Sequence, residues 1–223
     1  MAKKIVTNPV TKRFCKNTTL LLKYNTMLAH CDITYINLAH RTDRRAELEN
    51  ELDKLGVSCW TRFEAIQADP GALGCSMSHH ALLDAYVLSK DLLMVLEDDC
   101  EFLVSRQELD DMIASFIWSD ASVLCLAYNA RRFSPLNRIL QRVFNTQTCS
   151  AYVLKPGMIP VIKSVAADSA EMIRQGKRMD HAAIDRVWFR EQERYTWAVP
   201  VVRAARQRES YSDIENKVVN YGL

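Results

Sequence analysis

The sequence predicts an α/β domain with a mostly parallel sheet flanked by helices, and three features carry that prediction. Leu92-Leu93-Met94-Val95-Leu96 is an uninterrupted apolar run that ends in three consecutive acids, Glu97, Asp98 and Asp99. A run of this kind fits a central strand covered on both faces. Ile33 to Leu38, rich in β-branched and aromatic residues, reads as a second strand. The chain after it completes a β-α-β unit: Leu48, Leu52 and Leu55 fall at helical spacing, Gly56 stops the helix, and Val57 to Phe63 reads as the next strand. At 223 residues, with 48% apolar and 25% charged residues, the composition suits one domain with a core of its own.

The elements follow in order. Thr18 to His30 can form a short helix with Leu20, Leu21, Tyr24, Met27 and Leu28 on one stripe. Asp43 is placed to cap the helix that follows the first strand. The turn-rich stretch Ala68 to His80 leads into a helix reaching about Ser89, with Ser76 or Ser78 as its cap. Leu109, Met112, Ile113, Phe116 and Ile117 repeat as the apolar face of another helix. Ser122 to Ala127 is a buried strand, and Tyr128 to Gln147, with no clear period, reads as a long loop or lid. Thr148 to Leu154 resumes the sheet, and Lys155-Pro156-Gly157 turns into a helix through Val165. Asp180 sits as the N-cap of a helix that reaches about Glu193, and Tyr195 to Val202 is a late strand that Pro200 places at an edge or an end.

Composition narrows the function. A formal charge of +2 predicts no strong attraction to nucleic acid. Two basic segments stand out: Lys3, Lys4, Lys12, Arg13, Lys16 and Lys23 with no acid among them, and the cluster Arg131, Arg132, Arg138 and Arg142. Each reads as a solvated face, or as contact with an anionic ligand or a membrane surface. The seven cysteines, odd in number and without C-x-x-C spacing, argue against a disulfide framework and a structural zinc site and point to a reducing compartment. No apolar run approaches the roughly 20 residues of a spanning helix. The start lacks the apolar core of a signal peptide, so the expectation is a cytoplasmic protein, with the basic segments open to the inner face of a membrane.

The acidic run carries the chemistry. Functional groups gather at the carboxyl ends of parallel strands, and three adjacent carboxylates are most easily tolerated where a divalent cation or a set of donors offsets their charge. The alternative is a set of solvated loop acids. Gly74 permits close approach, and His79 reads either as a ligand contact or as a hydrogen-bonded helix residue.

Several motifs recur in a fixed order: Tyr35-Ile36-Asn37-Leu38 followed by Arg41, Asp43, Arg44 and Arg45; Arg62-Phe63-Glu64-Ala65; Gly74-Cys75 with Ser78-His79; Val95-Leu96-Glu97-Asp98-Asp99; Ala151-Tyr152-Val153-Leu154; Asp180-His181; and Pro200, Gln207 and Ser212-Asp213-Ile214. In this the chain resembles glycosyltransferase family 25, the bacterial lipopolysaccharide glycosyltransferases to which the collagen galactosyltransferases are related. The resemblance covers residues 33–214, leaving 1–32 as a basic extension and 215–223 as a tail. It departs from the family in that extension and in a short stretch between Asp99 and Asp180.

The resemblance implies a single-domain A-type glycosyltransferase fold with a Rossmann-like sheet. It also implies inverting transfer of a hexose, galactose or glucose, from a UDP-sugar to a glycan, glycolipid or protein hydroxyl. A divalent metal, manganese or magnesium, would bind Asp99 with Glu97. Asn37, Leu38, Arg41, Arg44, Gly74, Ser78, His79, Glu97 and Asp98 would hold the nucleotide sugar, arginine suiting phosphate through its planar fork. Asp180 is the first candidate for general base, with Asp185 in reserve. Two other readings stay open: metal-dependent phosphoryl transfer or hydrolysis, which acids at a strand end also suit, and a non-catalytic relative that binds nucleotide sugar.

Overall fold

The computed structural model describes residues 11–15, 26–87, 90–212 and 217–219, with side chains for 26–87 and 90–209. The first half of the chain builds β1 (Thr11–Cys15), β2 (Cys31–Asn37), α1 (Thr42–Lys54), β3 (Cys59–Glu64), α2 (Gly71–Ala85) and β4 (Leu92–Glu97). Next come β5 (Cys100–Phe102), α3 (Arg106–Ile117), β6 (Val123–Cys125), β7 (Arg132–Pro135), β8 (Leu140–Phe144), β9 (Ala151–Leu154) and α4 (Ile159–Arg174). Three short helices, α5 (Met179–Ala182), α6 (Ile184–Val187) and α7 (Phe189–Arg194), precede β10 (Trp197–Pro200), β11 (Ala205–Gln207), β12 (Ser210–Ser212) and β13 (Lys217–Val219).

A nine-stranded sheet runs in the order β1-β3-β2-β4-β9-β6-β10-β8-β7. β3, β2, β4, β6, β10 and β7 point one way, and β1, β9 and β8 point the other. This is an α/β fold with a large, mostly parallel central sheet. The period-2 geometry of β4 explains why its apolar run is unbroken. Leu92, Met94 and Leu96 pack with Leu48 and Leu52 of α1 and with Leu109, Ile113 and Phe116 of α3. Leu93 and Val95 face the other way, onto Leu82 and Leu83 of α2 and Ile162 and Val165 of α4. All five strand residues are almost fully buried, each burial being worth roughly 1.5–3 kcal/mol. The strand is thereby locked in register, and its carboxyl end is fixed in space.

Several elements differ from the sequence reading. Asp43 does not cap α1; the cap position is Arg41, with no side-chain cap bond, and Asp43 lies in the first turn. α2 begins at Gly71 after Pro70, so Ser76 and Ser78 are interior residues whose hydroxyls bond back to the Ala72 and Gly74 carbonyls. Tyr128 to Gln147 is no open loop, because β7 and β8 pair antiparallel and β8 pairs with β10. α4 runs on to Arg174. The single helix expected after Asp180 is broken into α5, α6 and α7, since Ala183 takes an extended ψ of 143°. The helix expected over Thr18 to His30 lies largely outside the described residues, and its described part, Met27–His30, is a 3-10 turn. Cys59 corrects the reading of the cysteines as thiols: it is disulfide-bonded, and Cys15 stands opposite it in register. Among the described residues no helix is long and apolar enough to cross a membrane.

Candidate active site

The acidic run emerges where β4 ends, beside the end of β2 and under the start of α2. A cavity of about 290 Å³ opens there, lined by Asn37, Leu38, Arg44, Gly74, Ser78, His79 and all three acids, together with His40, Ile66, Gln67, Ala68, Cys75 and Gln207. The volume is near the lower bound of the roughly 300–1,000 Å³ of small-molecule sites. Eight of the nucleotide-sugar residues expected from sequence therefore meet in one place. Arg41 is the exception; its guanidinium engages Asp43 at 2.8 Å, and it is not among the lining residues.

Asn37 is buried and cross-links the site. Its amide nitrogen donates to Asp98 Oδ2 at 2.8 Å and to the Arg41 carbonyl at 2.9 Å, while its oxygen accepts from Arg62 Nε at 3.0 Å. Arg44 donates to Asp98 Oδ1 at 3.0 Å and lies 3.6 Å from Asp99 Oδ2. Both oxygens of Asp98 are thus held by protein donors, as both oxygens of Asp99 also are. Asp99 accepts from the Ser150 hydroxyl at 3.0 Å and from Gln207 Nε2 at 2.9 Å. Ser150 is invisible as a partner in the sequence, and Gln207 arrives because β11 pairs antiparallel with β5, just beyond the acids.

Charge at the site is unbalanced. Burial first, then Glu97 and Asp98, push the Asp99 carboxyl up from its ordinary range, and Arg44 and Gln207 offset only part of this. Burial also raises Asp98, against Arg44 and Asn37. For Glu97, burial raises the pKa, but the hydrogen bond and charge of His79, the Cys75 thiol and Arg44 outweigh it and hold the group low. Arg44 thus offsets only part of the mutual repulsion and burial of the three acids, and oxygen donors of this kind suit a hard divalent cation.

His79, 1% exposed, is engaged at both nitrogens: Nε2 hydrogen-bonds with Glu97 Oε1 at 3.1 Å and Nδ1 with the Tyr152 hydroxyl at 2.8 Å. Cys75 Sγ reaches the same Glu97 oxygen at 3.4 Å, so thiol, imidazole and carboxylate atoms lie within 4.8 Å of one another. That set would suit a softer metal, but burial, followed by Glu97, pushes the Cys75 thiol well up and away from the thiolate that ligates. Among the described residues, Cys75, His79 and Glu97 are the group of three whose ligand atoms converge this closely.

Gly74 and Ser78 shape the wall. A Cβ on Gly74 would stand 2.5 Å from the Ile66 carbonyl oxygen and 3.1 Å from the Ala68 nitrogen, and the Ser78 hydroxyl accepts from the Ile66 N–H at 2.8 Å. Both residues press α2 onto the Ile66–Ala68 segment that lines the cavity. Gly74→Ala gains about 1 kcal/mol of helix propensity, but overpacking against backbone costs about 1–3 kcal/mol. The variant is expected to melt at lower temperature and to bind nucleotide less well; an unchanged melting temperature would contradict the packing argument.

The two candidate bases part company. Asp180 is 44% exposed and paired with Arg178 at 2.8 Å, and neither it nor Asp185 is among the residues that line the cavity. Asp185 is partly buried, accepts the Thr148 N–H at 3.1 Å, and lies within electrostatic reach of Glu97, Cys75 and Cys149. Burial raises its carboxyl, Thr148 and Arg186 lower it, and Glu97 raises it again, for a net upward shift. The loop that delivers Thr148 is strained: Asn145 has φ 57° and Thr148 φ 86°, a region that β-branched residues avoid. Trp188 Nε1 and Gln192 Nε2 both donate to the Thr146 carbonyl, at 2.7 and 3.0 Å, and clamp the loop to α6 and α7.

No family model matches the chain and no curated relative matches it, so glycosyltransferase family 25 stays a resemblance. Among solved structures, the chain is similar to a glycosyltransferase involved in glycosylation of the major capsid of PBCV-1, at 11% identity and a TM-score of 0.49 over 83% of this chain and 96% of that one. It is also similar to A197 from STIV, at 12% identity and a TM-score of 0.44 over 86% of this chain and 99% of that one. A third is mannose-1-phosphate geranyltransferase from Thermus thermophilus, at 9% identity and a TM-score of 0.42 over 83% of this chain and 76% of that one. With likenesses this low, the functional reading rests on the site itself.

Proposed function

We propose that this chain is a metal-dependent glycosyltransferase of the A type, which moves a hexose from a UDP-sugar, with inversion, to a hydroxyl on a glycan, glycolipid or protein. The observation that carries the reading is the acidic run fixed at the end of a buried central strand inside a cavity. There Asp98 is held by Arg44 and Asn37 and Asp99 by Ser150 and Gln207, and burial with the neighbouring acids pushes the Asp99 carboxyl up, a strain that a bound cation would relieve. A divalent cation, manganese or magnesium, held by Asp99 with Glu97 would supply positive charge against the diphosphate leaving group.

The chain's own residues do the rest. Arg44 lies beside Asp98 and Asp99, where it offers a guanidinium to a phosphate. His79, locked by Tyr152, keeps Glu97 ionised and in one orientation. Leu38, Ile66 and Ala68 form the wall against which a nucleoside packs. Asp185 is the general base: its raised pKa and partial burial suit removal of the acceptor hydroxyl proton as the anomeric carbon is attacked from the face opposite the diphosphate. Asp180, first choice on sequence, is exposed and paired with Arg178, and the more buried Asp185 is proposed in its place.

The test is donor hydrolysis over a panel of nucleotide sugars with and without manganese. Metal-dependent release of UDP from one donor is the expected result. Cleavage of a phosphoester without sugar transfer would favour phosphoryl chemistry instead, and no donor binding at all would leave a non-catalytic protein.

A further inference from the structure

The second pocket of interest, about 260 Å³, lies on the β7–β8 hairpin and is lined by Arg132, Arg142, Phe144, Asn145, Gln192 and Glu193. The sequence singled out four arginines here, and the fold sorts them: Arg132 and Arg142 line the pocket, and Arg131 and Arg138 do not. The register Arg132↔Phe144 and Ser134↔Arg142 brings the two guanidiniums to the same aromatic ring, 4.6 and 4.9 Å from its centroid. Stacking on a ring orients a guanidinium and leaves its in-plane N–H groups for an acceptor.

Among the described residues, no carboxylate pairs with either arginine, and the Arg142 Nε–H is buried with no acceptor. Two like charges sharing one ring repel, and a buried charged donor without a partner is unfavourable. An anion between them relieves both. The Gln192 amide is committed to Thr146, so the arginines and the Asn145 amide are the donors left to the pocket. Glu193 also lines it and opposes an anion, which sets a limit on affinity.

The pocket connects to the candidate base. β8 passes from Arg142 through Phe144 into the strained Asn145–Thr148 segment, whose last N–H holds Asp185. Six residues of chain span at most roughly 20 Å, a distance that a glycan of a few units bridges. We propose that Arg132 and Arg142 form a binding site for an oxyanion, phosphate or carboxylate, carried by the acceptor several bonds from the hydroxyl that reacts. The assignment of that anion to an acceptor rests on the transferase reading; the binding of the anion does not.

The experiment follows the arginine side-chain Nε–H resonances of the full chain by NMR while methyl phosphate, methyl glucuronide or neutral methyl glucoside is added, with no nucleotide present. The Arg142 Nε–H is expected to shift saturably with at least one of the two anions and to stay put with the glucoside; which anion acts identifies the source. Arg132→Ala should weaken that binding by about tenfold or more, and Glu193→Gln should tighten it about threefold. No shift with either anion, or equal affinity in Arg132→Ala, would overturn the site. Failure of donor hydrolysis would remove the transferase reading and leave this result standing, so the two failures are distinguishable.

Discussion

Asp185→Asn is expected to lower kcat by roughly 10²–10⁴ while donor affinity stays in place, since a positioned general base contributes on that scale. The amide keeps an oxygen to accept the Thr148 N–H but cannot take a proton, so the loop geometry survives and the chemistry does not. The pH profile sharpens the test. A base must be ionised, and the Asp185 pKa is raised by burial and Glu97. The wild-type rate should therefore fall on the acid side at a pH above the ordinary aspartate value of about 3.9. Asp180→Asn, at an exposed carboxylate paired with Arg178, should change kcat far less. If Asp180→Asn abolished turnover and Asp185→Asn did not, the roles assigned from the structure would be reversed.

Asp99→Asn is expected to abolish metal-dependent donor cleavage and, in metal-free protein, to raise the melting temperature. Both effects have one cause. Asp99 is 5% exposed and sits beside Glu97 and Asp98, so its charge is repelled and poorly solvated. A group whose folded pKa is raised subtracts stability above its unfolded pKa, and that deficit disappears in the amide. On the proposed reading the same carboxylate attracts the cation, so stability and function pull apart at this residue. A variant both less stable and still metal-dependent would contradict the charge argument.

The central strand and the first β-α-β unit were legible because their signals are local. An unbroken apolar run and a leucine stripe ending at Gly56 need no knowledge of the rest of the chain. The capping box of α3 was equally available, Ser105 and Glu108 satisfying each other's donors, yet the apolar stripe alone did not mark where that helix starts. The β7–β8 hairpin was hidden because β7 is short, mostly exposed and bears an arginine and a proline, with no apolar alternation to read. The break at Ala183 has neither glycine nor proline to announce it.

At the site, the residues on β2, α2 and β4 that line the cavity were singled out by a resemblance carried in the order of motifs along the chain. Their partners were not: Ser150 and Gln207 reach Asp99 across 51 and 108 residues of sequence, and such pairings are set by sheet order. The proposed preference for Asp185 over Asp180 likewise rests on burial and on the backbone of Thr148, neither of which spacing encodes. Cys59 is a similar case, its neighbour across β1 and β3 being fixed by register.

The most direct test of the central claim is manganese binding followed by electron paramagnetic resonance, with and without UDP, on the wild-type chain and on Asp99→Asn. The account predicts that UDP strengthens manganese binding to the wild type and that Asp99→Asn loses it, because Glu97 and Asp99 hold the cation against the diphosphate. Manganese binding that is indifferent to both UDP and Asp99→Asn would place the cation elsewhere and contradict the assignment of this cavity to a nucleotide sugar.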